Sequence, residues 1–379
     1  MSRDHKRSKA TIDQFRDFAL QADSSSAIDS FLSFISRPPL YTKFRQLIIF
    51  SNRNLSQFFT EEFSNSNPQL NLVNPKASVF TLSHLIGKQN RRTLQGIIVI
   101  LPTKLEKFNR IFTISFSKTW NYSIRKLVKM SYPSAMPVFF KQNEIKDALL
   151  LLEKSLGSQY RIRVSEVVMK RKRLGKETFS KKYYETDRLW TELSIDEVFE
   201  RALERNQWFT SLQFNIQKKS SNQRSYQQIT SGRIYKAGEV HYEYLHDEIT
   251  HYVISPLQRF AAERFSLFQN RGIRDRGYKS GLPIEILFER EIFSNSAEIH
   301  RFNDVIQKFP KSTKVVFHRN PYYHASVADF LDGSSFELWV LSQNKILIIP
   351  QAKSSELAFE RLVSHIFSEF REGVIREYQ

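Results

Sequence analysis

Apolar residues return at two spacings along this chain: every three to four positions in some stretches, and every second position or in short unbroken runs in others. The first spacing predicts helix over 11–36, where Ile12, Phe15, Phe18 and Ala19 are followed by Ile28, Phe31, Leu32 and Ile35. Ser24–Ser26 supplies a cap for its second segment, and Pro38-Pro39 ends it. Leu47–Ser51, Val79–Ile86, Thr93–Pro102 and Arg110–Ser117 read as strands, with a short helix at Leu55–Phe63 and a polar loop at 64–75. Helices follow at Trp120–Ser131, stopped by Pro133, and at Asn143–Leu156, capped by Asn143 and stopped by Gly157. A strand at Val138–Lys141 lies between them. The alternation predicts an N-terminal α/β unit over 28–157, behind a basic tail and first helix at 1–27 whose first ten residues are expected to be mobile.

The next stretch changes character. Tyr160–Lys170 alternates like a half-exposed strand and runs into a dense basic cluster of Lys170, Arg171, Lys172, Arg173, Lys176, Lys181 and Lys182. Ser194–Arg205 is an amphipathic helix in which Ser194 and Glu197 have capping-box spacing. Trp208–Gln217 alternates as a strand, and the polar run 218–232 reads as a linker. Residues 158–232 are therefore expected to form a smaller basic α+β insert with its linker. From Arg233 the first pattern returns, with a strand at Ile234–Tyr244 and a long helix over 246–269. A second basic loop carries Arg271, Arg274, Arg276 and Lys279. Strand Ile284–Phe288, helix Ala297–Phe309 and helix Ser354–Phe370 enclose three short strands, Val315–His318, Phe336–Leu341 and Lys345–Ile349. The expected fold class is α/β: two layered α/β units, the second over 233–379, flanking the basic insert.

Charge sharpens this picture. Fifty-seven Lys and Arg against 39 Asp and Glu leave a formal net charge of +18. A field of that sign attracts polyanions, nucleic acid first and an anionic membrane surface second, and an acidic protein partner would also neutralise it. The chain has no Cys, which excludes disulfides, thiolate zinc sites and a Cys nucleophile. No apolar run reaches the roughly 18 to 20 residues of a membrane helix, and the basic start is not followed by an apolar secretory segment. The expectation is a cytoplasmic protein without a transmembrane segment. No GxGxxG or Walker lysine motif follows the strands, so no nucleotide cofactor of those kinds is expected.

The densest collection of chemical side chains lies within 313–350. Between two of its strands stand His318, Arg319, Asn320, His324, Ser326, Asp329, Asp332, Gly333, Ser334 and Ser335. His324 has the chemistry of a nucleophile or base, Asp329 of its orienting group, and Ser334 of an oxyanion donor. The run HASVADFLDGSS resembles a degenerate phospholipase D-like signature, with His324, Asp329 and Gly333-Ser334 in the family's order. Ser326 stands where that family has Lys, and Asp329 follows His324 by five positions rather than seven. The resemblance implies a phosphodiesterase fold whose departures suit binding better than catalysis. The residues alone leave catalysis, a ligand surface and a structural turn at Asp332-Gly333 open.

Two further patterns draw no metal site. His241, Glu243, His246, Glu248 and His251 crowd one segment, but His246 and His251 are five apart rather than the four that a zincin helix needs. Glu61-Glu62 and the Glu289/Glu291 pair read as solvated or strand-exposed acids. Asp332 with Glu337 supplies two acids of a nuclease site, but Trp339 occupies the Lys position. Three functions remain. The first is a non-enzymatic nucleic-acid-associated protein contacting phosphates through Lys170–Lys182 and Arg271–Lys279. The second is a phosphodiesterase or nuclease centred on His324. The third is a sensor or subunit with an acidic protein partner.

Overall fold

The computed structural model describes residues 3–37, 43–87, 91–172, 184–204, 207–220, 225–269, 282–318, 322–351 and 353–378. It is a mixed α/β protein with two antiparallel sheets, and its chain divides into two compact units at 259/260.

The first unit opens with helices α1 (Arg3–Gln21) and α2 (Ser25–Ile35), the latter capped by Ser24 Oγ, which accepts the Ala27 N–H at 3.2 Å. Strand β1 (Phe44–Ser51), helix α3 (Leu55–Phe63) and strands β2 (Gln69–Asn74), β3 (Val79–Ile86), β4 (Arg92–Pro102) and β5 (Phe108–Thr113) follow. Next comes a helical run, α4 (Ser117–Thr119), a π-helical turn (Trp120–Ile124) and α5 (Arg125–Met130). Then come β6 (Ala135–Pro137), α6 (Gln142–Leu156), β7 (Tyr160–Lys172), β8 (Tyr184–Leu193), α7 (Ile195–Glu204), β9 (Trp208–Lys219), β10 (Tyr226–Tyr235) and β11 (Glu239–Tyr242). The unit ends in α8 (His246–Ile249), a second π-helical turn (Thr250–Ile254) and the start of α9 (Ser255–Phe268). The strands join one sheet in the order β2-β3-β4-β5-β1-β11-β10-β9-β7-β8, with β6 against β1.

Register decides what each face of this sheet carries. Ile162, Val164, Leu212, Phe214, Ile216, Ile234 and Val240 are fully or almost fully buried on one face. Phe209 meets Phe199 of α7 there, edge to face at 5.1 Å. Their cross-strand neighbours on the opposite face are polar: Arg163 opposite Asn215, Gln213 opposite Arg233, and Arg233 opposite His241. The β1–β5 end of that second face is closed instead by an apolar cluster, with Phe58, Phe59, Trp120, Ile124 and Leu127 packed on Leu47, Ile49, Ile98 and Ile111.

The second unit holds β12 (Ile284–Leu287), α10 (Ser296–Gln307), β13 (Ser312–His318), β14 (Tyr323–Asp329), β15 (Ser335–Ser342), β16 (Lys345–Pro350), α11 (Glu356–Glu369) and β17 (Val374–Glu377). Its sheet runs β13-β14-β15-β16-β12-β17. Phe302 of α10 meets Tyr323 at 5.1 Å and Phe359 of α11 meets Phe336 at 4.7 Å, so both helices cover the sheet's inner face. Arg264 and Glu360, both buried, pair at 3.2 Å. Ser364 Oγ donates to the same carboxylate at 3.2 Å, so the buried charges are compensated.

Several expectations change. The strands of the expected 158–232 insert continue the first sheet, and the division falls inside α9 rather than at 232/233. The expected linker at 218–232 contains most of β10, a strand paired on both sides. The loop at 64–75 contains β2, and the N-terminal tail is helical from Arg3. Helix α6 begins at Gln142, and the Glu144 carboxylate, accepting the Lys141 N–H at 2.8 Å, takes the place of an Asn143 cap. Among the described residues no helix is long and apolar enough to cross a membrane.

Gly232 lies opposite Phe214, and a Cβ there would stand 2.4 Å from that ring's Cζ. Phe214 is fully buried. Gly232→Ala is therefore expected to destabilise the fold by about 1–3 kcal/mol, read as a lower urea midpoint. An unchanged midpoint would show that the sheet yields here.

Candidate functional site

The structure separates the three residues of the phospholipase D-like trio. They flank one hairpin, but β14 alternates inward Tyr323, Ala325, Val327 and Asp329 with outward His324, Ser326 and Ala328. Five positions along a strand place His324 and Asp329 on opposite faces. His324 Nε2 pairs with the Glu337 carboxylate, and its ring stacks on Trp339 at 3.8 Å and 17°. Asp329 instead accepts from Arg361 Nε at 2.8 Å and from the Leu331 N–H at 2.9 Å. Burial lifts its pKa above the usual carboxylate value, against those two donors. Ser334 is fully buried, and its Oγ accepts the Ser355 N–H at 3.0 Å. Asp332 receives the Ser334 N–H at 2.9 Å and the Ser355 hydroxyl. Gly333 supplies the turn with φ of +76°. Asp332, Ser334 and Ser355 thus tie the β14–β15 hairpin to the start of α11, away from the His324 ring.

The histidine-rich segment also disperses. His241 points to the polar face of the first sheet. His246 is buried between Tyr242, at 2.7 Å from Nδ1, and Asp29, at 3.2 Å from Nε2. Arg110 approaches the same Asp29 carboxylate at 3.3 Å. His251 lines an open cleft of about 740 Å³ with Asp247, Glu248 and Tyr252. Among the described residues no three His, Asp or Glu side chains converge as metal ligands.

What the fold does assemble is the polar face of β7, β9, β10 and β11. Alternation brings Arg161 and Arg163 from β7, Gln213 and Gln217 from β9, Arg233 and Tyr235 from β10, and His241 from β11 to this face, all half-exposed. Arg45 of β1 stands opposite His241, and Arg125 reaches in from α5. Each arginine is held. Arg161 Nε donates to Gln217 at 2.8 Å and its guanidinium lies 3.6 Å over the Tyr226 ring. Arg163 lies 3.7 Å from Glu197. Arg233 pairs with buried Glu166 and with Gln213. Arg45 donates to the Ser115 carbonyl and, at 2.8 Å, to Ser117 Oγ. Lys170 extends the row along β7, opposite Trp208. The side chains of Arg171, Lys172, Arg173, Lys176, Lys181 and Lys182, and of Arg271, Arg274, Arg276 and Lys279, lie outside the described residues.

Glu239 anchors one end of the row. Its carboxylate accepts from Arg125 Nε and Nη2, both at 2.7 Å, and from Trp120 Nε1 at 2.9 Å. His241 Nε2 lies 3.3 Å away. Burial would raise the Glu239 pKa, but His241 and Arg125 outweigh it and bring the pKa down to about 2. Burial likewise pushes His241 below the ordinary imidazole value, against Glu239. The paired carboxylates fix the guanidinium groups while the arginines outnumber them, so the face is cationic and preorganised.

The sequence pointed to this row only through the half-exposed alternation of Tyr160–Lys170. Arg45, Arg125 and Arg233 are isolated basic residues in sequence and meet only through long-range pairing. Neither a family model nor a curated protein matches the chain.

The Glu239 brace carries a pH signature. A carboxyl whose pKa falls from 4.5 to about 2 on folding stabilises the fold fully above pH 4.5 and loses that contribution as pH drops toward 2. The contribution is on the order of 3 kcal/mol at neutral pH. Urea unfolding of the parent and Glu239→Gln proteins should differ most at pH 7 and converge only as pH falls to about 2. A difference independent of pH would remove the ionised carboxylate from the account.

Proposed function

We propose that this protein is a non-enzymatic nucleic-acid-binding protein of the cytoplasm that contacts phosphates through the arginine row of its first sheet. One observation carries the reading. Arg161, Arg163, Arg233 and Arg125 share a polar sheet face with Lys170 at its margin and the buried Arg45 behind it, and two buried carboxylates, Glu166 and Glu239, hold Arg233 and Arg125 in place. Guanidinium forks match phosphate oxygens in geometry and stay charged at any physiological pH. The net charge of +18 supplies the long-range attraction for the same ligand. The basic runs Lys170–Lys182 and Arg271–Lys279 belong to this reading as further phosphate contacts. Such binding tracks the backbone, discriminates little between sequences and weakens steeply with salt.

A partner-binding subunit is the second reading, and the outer face of the second sheet favours it. Val315, Phe317 and Leu341 are each more than half exposed there, beside the half-exposed Trp339, and such patches mark protein contacts.

Fluorescence anisotropy with labelled oligonucleotides tests the first reading. Binding is expected to be submicromolar at low salt, with a steep negative slope of log affinity against log salt. Replacing both Arg161 and Arg163 by Ala should weaken binding and flatten that slope by about 1.5, two phosphate contacts' worth. His324→Ala should leave both unchanged. Absence of binding at low salt would sink the reading and turn attention to the protein partner.

A further inference from the structure

The arginine row is interleaved with aromatic rings in a way that phosphate contact alone does not require. Tyr226 and Tyr235 stand near the two ends of β10 on the polar face. The Arg161 guanidinium covers the Tyr226 ring at 3.6 Å. The half-exposed Tyr235 ring is flanked by Arg125 at 5.5 Å, Arg233 at 5.9 Å and His241 at 5.1 Å. At about 3.3 Å per residue, the strand between the two rings is roughly 30 Å long. A planar base stacks on tyrosine rings and guanidinium planes alike, and does so without regard to its identity.

The width of the face argues against a duplex in the groove-reading mode. Four neighbouring strands, β11, β10, β9 and β7, make a surface about 19 Å across. The DNA major groove is about 12 Å wide and admits a two-stranded ribbon. A duplex laid on this face would present phosphates only and keep its bases out of reach of both tyrosines. A single strand offers phosphates to the arginines and unstacked bases to the rings at once.

We infer that the ligand of this face is single-stranded nucleic acid, running along β10 with bases against Tyr226 and Tyr235 and phosphates on the arginines between them. The inference rests on the nucleic-acid reading above and adds the strandedness of the ligand and the role of the two rings. The paired carboxylates serve it by holding Arg125 and Arg233 beside the Tyr235 ring.

The test uses the full chain and a labelled, unstructured oligonucleotide of about 15 nucleotides, within the range that sheet-based single-strand binders cover. RNA and DNA versions are compared with a duplex of the same length at one moderate salt concentration. Either sugar in the single strand should bind at least tenfold tighter than the duplex. Tyr226→Leu should weaken single-strand binding about tenfold, leave the salt slope unchanged and spare the duplex; Tyr226→Phe should retain parent affinity. The half-exposed strand-end position of Tyr226 makes folded variants accessible, with the unfolding midpoint as the check. Equal affinity for duplex and single strand would overturn the inference. So would unchanged single-strand affinity in Tyr226→Leu alongside a loss in the Arg161 and Arg163 variant, which leaves phosphate binding standing. Failure of every polymer to bind at low salt would remove the nucleic-acid reading itself, and this inference with it.

Discussion

The contact between the Phe214 ring and the backbone at Gly232 governs which way the side chains of the central strands point. Strand side chains alternate with a period of two, so a slip of one residue between β9 and β10 would exchange Arg233 for Ile234 at every neighbouring position. Gly232 is the one glycine of β10, and a Cβ there would stand 2.4 Å from the Phe214 ring beside it. Once this pair is set, Leu212 and Ile234 must lie on the apolar face, and Gln213 and Arg233 on the polar one. The same ladder extends outward to Arg163 opposite Asn215 and to His241 opposite Arg45. A packing constraint in the core therefore arranges charge on the opposite surface.

Charge on that surface is held by its complement. A lone arginine on a strand sweeps a wide volume and loses side-chain entropy when a ligand fixes it. Here Glu166 and Glu239 are nearly buried, and each fixes an arginine that reaches outward. Glu239 also takes the Trp120 indole N–H, so the π-helical turn, α5 and β11 meet at one carboxylate. That explains why its ionised form is strongly preferred. It also explains why Arg125, 40% exposed, is still aligned with a sheet to which its helix does not belong. The arrangement is a preformed cationic track rather than a fringe of mobile lysines.

Much of the fold was legible in the chain because burial writes period and punctuation into sequence. Helix α6 with its Gly157 stop and α7 with its Ser194–Glu197 box stand where the sequence placed them. What escaped was polar strand. β2 and β10 carry Gln, Asn, Ser and Thr at positions that read as loop, and tertiary pairing makes them strands, β2 along β3 at the sheet's edge and β10 between β9 and β11. Misreading β10 as a linker had a large effect. It divided the first sheet into an insert and a separate unit, and it hid that Tyr226 lies on the same strand as Arg233 and Tyr235. The row's arginines come from β1, α5, β7 and β10, so no local motif announces them.

The polar stretch in the second unit shows the opposite failure. His324, Asp329, Asp332, Ser334 and Ser335 look like one site because they are close in sequence, yet β14 runs through the middle of them. A strand is the arrangement least able to converge residues five apart, since an odd separation sends them to opposite faces. Asp329 and Ser334 spend their hydrogen-bonding capacity on Arg361 and the start of α11, and His324 spends its on Glu337 and Trp339. Sequence density of reactive side chains is thus a poor guide to a site when the intervening backbone is extended. The cationic row, scattered over nearly two hundred residues from Arg45 to Arg233, converges because cross-strand pairing, not proximity along the chain, places side chains on a common face.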